Sequence, residues 1–249
     1  MNKNIGILGG GFVGQILKRY HPEAKMYDIN DKFDELGDVL KAHIIYVAIN
    51  FVDNCSSDDS KNALHRYFAS MKSGTIVIIK STFIPGTTDL FQQVYPGLRF
   101  VYNCEFLTEM TAWEDFTNPI FQVLGVPYQS LDLVNELVEL FPKAPVTRVI
   151  SPRDAEVLKH SFNSYYALKV TWFNQLYDAC KTLEADYETI REIMVQDPRI
   201  GDSHSIIFHK GYRGYGGKCL SKDPKNLASV VEFPLIEHIE KYNNGLLGK

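Results

Sequence analysis

Residues 5–14 read IGILGGGFVG and place Gly9-x-Gly11-x-x-Gly14 directly after an apolar run and at the opening of an amphipathic stretch. That order of strand, glycine turn and helix is compatible with few folds. The first glycine permits the tight turn, the second lets the backbone approach a pyrophosphate, and the third allows a helix to pack closely on its strand. Amides left free at the helix start attract the anion. Asp28 follows nineteen residues after Gly9, at the end of the next apolar run in KMYDIN. A carboxylate there accepts hydrogen bonds from ribose hydroxyls and repels a 2′-phosphate, which predicts NAD rather than NADP. The expected cofactor residues are thus Gly9, Gly11, Phe12, Val13, Gly14 and Asp28. On these residues alone, a glycine turn without cofactor and an FAD site both stay open.

The rest of the first 150 residues fits the same picture. Short apolar runs, NIGILG, AKMYDI, HIIYVAI, TIVIIKST, LRFVYN, IFQVLG and VTRVI, alternate with helical segments such as 13–20 and 60–71. That alternation predicts an α/β fold, a Rossmann-type doubly wound parallel sheet. The stretch 153–185, RDAEVLKHSFNSYYALKVTWFNQLYDACKTLEA, runs some thirty residues without Gly or Pro, and its length and periodicity predict one long helix. A shorter helix over 187–195, a glycine-rich loop and a helical tail over 225–242 complete an all-helical part. The expected domains are 1–151, binding NAD, and 152–249, helical. A formal net charge of -4 with interspersed signs argues against nucleic acid. No apolar run approaches the roughly 18 residues of a membrane span, and the N-terminus lacks a signal-peptide pattern. Cys55, Cys104, Cys180 and Cys219 have no paired short spacing, so neither a disulfide framework nor a metal site is expected. The reading is a reduced, cytoplasmic protein.

The segment GYRGYGGKCLSKDPKNL, 211–227, sets a lone cysteine behind a glycine run. Asp223-Pro224 is a good cap and first-turn pair, so a helix is expected to begin there. Cys219 then precedes a positive helix end and neighbours Lys218 and Lys222, influences that lower a thiol's pKa. Gly214, Gly216 and Gly217 would leave room for a substrate. The alternative is a small buried cysteine with Asp223 as a cap only. Along the long helix, Lys159 and Asn163 share a face with Ala167, Val170 and Asn174. A lysine and an amide on a buried stripe need partners, unless the lysine snorkels to solvent. IIKSTFIPGTTDL brings Lys80, Ser81 and Thr82 to the carboxyl edge of a strand, where open α/β sheets bind ligands. YNCEFLTEM brings Glu105 and Glu109 to the next strand's end, either as acid/base groups or as helix N-terminal charges.

In order along the chain, GxGxxG, KSTFIPGTT, EFLTE, AEVLKHSFNSYYALKVTWFNQL, DPRIG and GYGGKCLSKD resemble the UDP-glucose/GDP-mannose 6-dehydrogenase family, from Gly9 to about Asn243. The resemblance implies two-step, NAD-dependent oxidation of a nucleotide-sugar primary alcohol to a carboxylate. It implies that Cys219 captures the aldehyde as a thiohemiacetal whose oxidation gives a thioester. Lys159 would stabilise oxyanion charge, Asn163 would help position it, and Asp223 with a water would handle protons. Thr82 and Glu109 match a pair associated with hydrolysis, and Glu105 a second glutamate nearby. Ser81 and Thr82 would also touch the cofactor, and Gly216 and Lys159 the substrate. Arg199 resembles an arginine that a neighbouring subunit lends to the substrate pocket, which implies a homodimer through the long helix.

The sequence departs from the family at 50–54, at Cys104 where proline is common, at Gln175 where glutamate is frequent, and in NPIFQVLG, which lacks an arginine. The family's third domain, which binds the nucleotide half of the donor, is expected to be missing. Three functions follow: a shortened nucleotide-sugar dehydrogenase, an NAD-dependent dehydrogenase of a smaller alcohol or sugar, or an inactive NAD-binding dimer. Cys219, Lys159, Asn163 and Asp223 together favour an enzyme, because a scaffold has no use for a thiol in a glycine cradle.

Overall fold

The structure is a computed structural model that describes residues 4–30, 33–51, 58–209, 211–217 and 219–248. It has two compact units, residues 1–159 and 160–249. The boundary between them falls inside the long helix.

In the first unit seven strands, β1 (Ile5–Leu8), β2 (Lys25–Tyr27), β3 (Ile44–Val47), β4 (Ile76–Ile79), β5 (Arg99–Tyr102), β6 (Phe121–Gly125) and β7 (Val146–Ile150), form one sheet. All seven fall within the apolar runs picked out in the sequence. The order is β2-β1-β3-β4-β5-β6-β7, so the sheet reverses direction of winding between β1 and β3, the switch point where such sheets bind ligands. Helices α1 (Phe12–Tyr20), α2 (Leu36–Val39), α3 (Asp58–Ala69), α4 (Thr87–Val94), α5 (Ala112–Thr117) and α6 (Val134–Leu140) connect the strands, with a 3-10 turn at Tyr128–Leu133.

β3 and β4 are buried along their whole length. That is why they read as unbroken Ile/Val runs rather than alternating ones. Alternate residues nevertheless serve opposite faces. Ile45, Val47, Val77, Ile79, Phe100 and Tyr102 pack in one core, while Ile44, Tyr46, Ile76, Ile78 and Val101 pack in the other.

One pair departs from the expected parallel pattern: β5 and β6 are antiparallel, meeting at Tyr102 and Gly125. The pair joins the last residue of each strand, so β6 begins beyond the end of β5 and runs back to it, and the connection between them never returns along the sheet.

The long helix α7 (Pro152–Thr182) has 31 residues, in agreement with the run free of Gly and Pro. In the second unit it is joined by α8 (Tyr187–Met194), α9 (Asp223–Ala228) and α10 (Pro234–Leu246). The single tail helix expected over 225–242 is therefore two. Pro234 has no amide to donate and disfavours helical geometry at Phe233, so the chain breaks there and restarts. Ala167 and Val170 pack with Tyr215 and Ile239, and Phe173 and Cys180 with Tyr187 and Ile207. Among the described residues no helix is long and apolar enough to cross a membrane.

Candidate active site

At the carboxyl ends of β1 and β2, the glycine turn and Asp28 are bonded to each other. The Gly10 amide donates to Asp28 Oδ2 at 2.8 Å, and the Asn30 amide to Oδ1 at 2.9 Å. Burial works to raise the Asp28 carboxyl, but the amides of Asn30 and Gly10 outweigh it and hold it below its ordinary range. Gly9 has φ 108°, and a Cβ on Gly14 would lie 1.9 Å from the Gly9 carbonyl oxygen. The turn and α1 therefore fit together only without side chains at these points. A Cβ on Gly11, by contrast, would meet nothing within 4 Å among the described residues, none of which caps α1 with a side chain. Phe12 and Val13 supply the first amides of that uncapped helix.

At the end of β4, the buried Ser81 hydroxyl bonds the carbonyls of Val47 (3.1 Å) and Ile49 (2.7 Å). It ties down the chain beyond β3. Thr82, half-buried, follows it. The Gly86–Thr88 turn that follows is held by Glu156 of α7, which accepts from the Gly86 amide (2.5 Å), the Thr88 amide (2.9 Å) and the Thr88 hydroxyl (2.7 Å). Burial nevertheless pushes the Glu156 carboxyl up to about 7, against the pull of these donors.

Glu105 follows β5 in irregular chain. Its carboxylate pairs with the buried ammonium of Lys80, and its carbonyl accepts from Lys159 Nζ at 2.5 Å. The Lys159 ammonium also lies 5.5 Å from the centre of the Phe106 ring. The lysine expected to need a partner thus has one, in the EFLTE segment. Glu109 is exposed. Cys104 is wholly inside the core, where burial pushes its thiol up to about 12.

In the second unit the buried Asn163 has its partner in Asp223: Asn163 Nδ2 donates to Asp223 Oδ2 at 2.5 Å. Asp223 is only 1% exposed, and its Oδ1 has no hydrogen-bond partner among the described residues. It does not cap α9. Lys222 holds the cap position and Asp223 is the first helical residue, because its carboxylate is drawn to Asn163 instead. The Asp223 amide donates to the Cys219 carbonyl at 2.9 Å, and a His160 ring nitrogen lies 3.1 Å from the Asp223 carbonyl. Cys219 itself is exposed, so the alternative of a small buried cysteine does not hold. Lys218, Asn54 and Cys55 lie outside the described residues.

The glycine-rich loop before Cys219 is fixed from several sides. Arg213 donates to the Asn174 side chain (3.1 Å) and carbonyl (3.0 Å) and pairs with Asp178 at 2.8 Å. Asn243 accepts from the Tyr215 amide and donates to its carbonyl, at 2.8 and 2.9 Å. Gly216, half-buried, lies against Tyr212. Arg199 is exposed and forks onto Asp197, two residues back. Glu156, Arg213 and Asn243 were not singled out in the sequence. Glu156 had a signal: it stands three residues before Lys159 on the same buried stripe of α7. Arg213 and Asn243 had none, because their partners lie 28 or more residues away.

Residues 153–245 match the model of the UDP-glucose/GDP-mannose dehydrogenase family, central domain. A UDP-glucose 6-dehydrogenase of Bacillus subtilis is 29% identical over 222 residues, covering 82% of this chain and 49% of that protein. One of Rhizobium meliloti is 31% identical over 176 residues, covering 66% of this chain and 39% of that protein. The chain thus spans half or less of the length of these relatives. Among solved structures, a UDP-glucose dehydrogenase from Pyrobaculum islandicum superposes with a TM-score of 0.77 at 19% identity, over 98% of this chain and 68% of that one. A UDP-D-ManNAc dehydrogenase from Pyrococcus horikoshii gives the same TM-score and identity, over 98% of this chain and 69% of that one. At that identity the likeness is one of fold.

Proposed function

Taking the chain as a member of the UDP-glucose/GDP-mannose dehydrogenase family, we propose that it serves the NAD-dependent oxidation of a nucleotide-sugar primary alcohol to the carboxylate. The observation that carries this reading is the buried Asn163–Asp223 pair, bonded through the Asp223 amide to the exposed Cys219 and leaving one carboxylate oxygen unpartnered among the described residues. A buried acceptor without a partner is costly and calls for an explanation. A proton-handling role supplies one.

The residues of the first unit fit a dinucleotide. Among the described residues nothing stands over Gly11 and no side chain caps α1, and the Asp28 carboxylate sits at the end of β2. Gly9, Gly11, Phe12, Val13, Gly14 and Asp28 would hold NAD, with Ser81 and Thr82 completing the set. Bound there, NAD would accept a hydride in each of two oxidations.

The chain's own groups would do the rest. Cys219 Sγ would bond to the aldehyde carbon and so keep the aldehyde from escaping between the two oxidations, first as a thiohemiacetal and then as a thioester open to water. The Lys159 ammonium would stabilise the oxyanion, a contribution on the order of 3 kcal/mol. Asn163 would hold Asp223, whose second oxygen would take the proton. Thr82 and Glu109 would serve the hydrolysis, with Glu105 beside them, and Gly216 and Arg199 would contact the substrate, the arginine from a second subunit. A homodimer through α7 and a cytoplasmic location belong to the same reading.

The test is to mix the protein with UDP-glucose and NAD and follow NADH by absorbance. Two NADH per sugar consumed is the expected result. One NADH with aldehyde released would remove the thioester step, and none with UDP-glucose but turnover of small hydroxy acids or sugar phosphates would move the activity to a smaller substrate. NAD binding by calorimetry with no turnover of any of these would leave a binding protein.

A further inference from the structure

The segment 103–108 that carries Glu105 belongs to no helix or strand. Irregular chain at a reacting centre must be fixed by side chains, since no ladder of backbone bonds holds it. Here that task falls on Lys80. Its side chain is only 2% exposed, and its ammonium lies 5.2 Å from the centre of the Phe141 ring and 5.7 Å from that of Phe116. In that enclosure it has, among the described residues, two oxygen partners: the side-chain carbonyl of Asn103 and the carboxylate of Glu105. Asn103 is bound in turn to β4 and β6, its amide donating to the Ile79 carbonyl at 2.9 Å and its Nδ2 to the Val123 carbonyl at 2.8 Å. Lys80 therefore links the anchored end of β5 to Glu105, two residues further on. The Glu105 carbonyl then receives Lys159.

We propose that Lys80 is a positioning residue: by holding the Glu105 carboxylate it fixes the Glu105 carbonyl, and that carbonyl sets where the Lys159 ammonium stands. The two lysines do different work on one glutamate. Lys80 takes the charge, and Lys159 takes the backbone. A buried pair of this kind suits the purpose because removing either partner strands a charge, whereas neutralising both is close to harmless. As far as activity is concerned, the inference rests on the oxyanion role proposed for Lys159; the geometric coupling does not.

The experiment uses the full chain in four forms besides the wild type: Lys80→Met, Lys80→Arg, Glu105→Gln and the double variant Lys80→Met/Glu105→Gln. The first readout is the rate at which acetic anhydride labels the Lys159 amine, measured by mass spectrometry against pH. Lys80→Met should change that rate by about threefold or more, the scale of coupling between groups in one network, and Lys80→Arg should leave it near the wild-type value. An unchanged rate in Lys80→Met would overturn the proposal. Denaturant unfolding should show a large loss in Lys80→Met that is mostly recovered in the double variant, so the labelling remains readable where the single variant is too unstable.

Where the wild type turns over UDP-glucose, Lys80→Met should lower kcat by about tenfold or more, as misplacement of a reacting group does, while KM for NAD stays within about twofold. In the Glu105→Gln background the same change should be nearly silent. Losses that simply add would contradict action through Glu105. A wild type without turnover would defeat the proposed function, and the labelling and unfolding series would still decide the role of Lys80.

Discussion

Between Gly9 and Gly14 the chain is braced by itself and by the adjoining strands, with the Gly9 amide on the Tyr27 carbonyl at 2.8 Å, Gly9 close against Ala48 and Gly14 packed against Gly9. Between Gly211 and Gly217 a second glycine-rich turn is braced from far along the chain, by Asn243 of α10 around Tyr215 and by Asp178 and Asn174 of α7 around Arg213. Both turns need a glycine where another residue would collide. A Cβ on Gly214 would fall 2.5 Å from Asn243 Oδ1. The first turn is specified by close backbone contacts within itself and with the chain at the ends of β2 and β3, and the second by side-chain hydrogen bonds from helices far along the chain. A turn of the first kind is a fixed cradle. One of the second kind places Cys219 only as well as α7 and α10 hold it.

The sharpest way to break the comparison is at Gly14. With backbone as the colliding group, Gly14→Ala should destabilise the first unit by about 3 kcal/mol or more, measured by denaturant unfolding; a loss below about 1 kcal/mol would mean the turn is looser than described. Next comes Asn243→Ala, which strands the amide and carbonyl of Tyr215 and should cost about 2–3 kcal/mol. It should also lower turnover through Cys219 while leaving NAD affinity unchanged. Equal losses in both would erase the distinction between the turns.

Glu156→Gln tests a third brace, the carboxyl that holds Gly86 and Thr88. Its carboxyl titrates at about 7 in the folded chain against an ordinary 4.5, so the folded state binds the proton more tightly. The stability it contributes is complete below about pH 4.5 and is lost as pH rises through about 7. Unfolding measured from pH 4.5 to 7.5 should therefore show the wild type losing on the order of 1–3 kcal/mol relative to Glu156→Gln. Parallel curves would contradict a raised carboxyl. The smallest effect on stability is expected at Gly11, where none of the described residues stands within 4 Å of an added Cβ. Gly11→Ala should shift stability by less than about 1 kcal/mol yet weaken NAD binding by about tenfold or more, since the space it fills is where a pyrophosphate would approach. Unchanged affinity would remove the dinucleotide from this turn.

The same contrast explains what the sequence made legible. The strands, the glycine turn and Asp28 are local patterns, as is the long unbroken α7, and each stands where its residues predicted. The partners of Lys159 and Asn163 were expected from the cost of burying polar groups, though not their identity: Glu105 for one and Asp223 for the other. Asp-Pro is a strong local signal that points to Asp223 as a cap, and a distant amide, that of Asn163, overrides it. The reversal of β6 depended on how the irregular connection after β5 is folded, and the break before Pro234 on one proline whose effect competes with helix propensity on either side. Arg213 and Asn243 are ordinary polar residues until folding brings their partners to them.

The nucleophile role of Cys219 is tested most directly by Cys219→Ser, assayed with UDP-glucose and NAD alongside calorimetric NAD binding. Formation of the sugar acid should fall by about a hundredfold or more, with NAD affinity within about twofold of the wild type. Sugar acid made by the serine variant at close to the wild-type rate would contradict it.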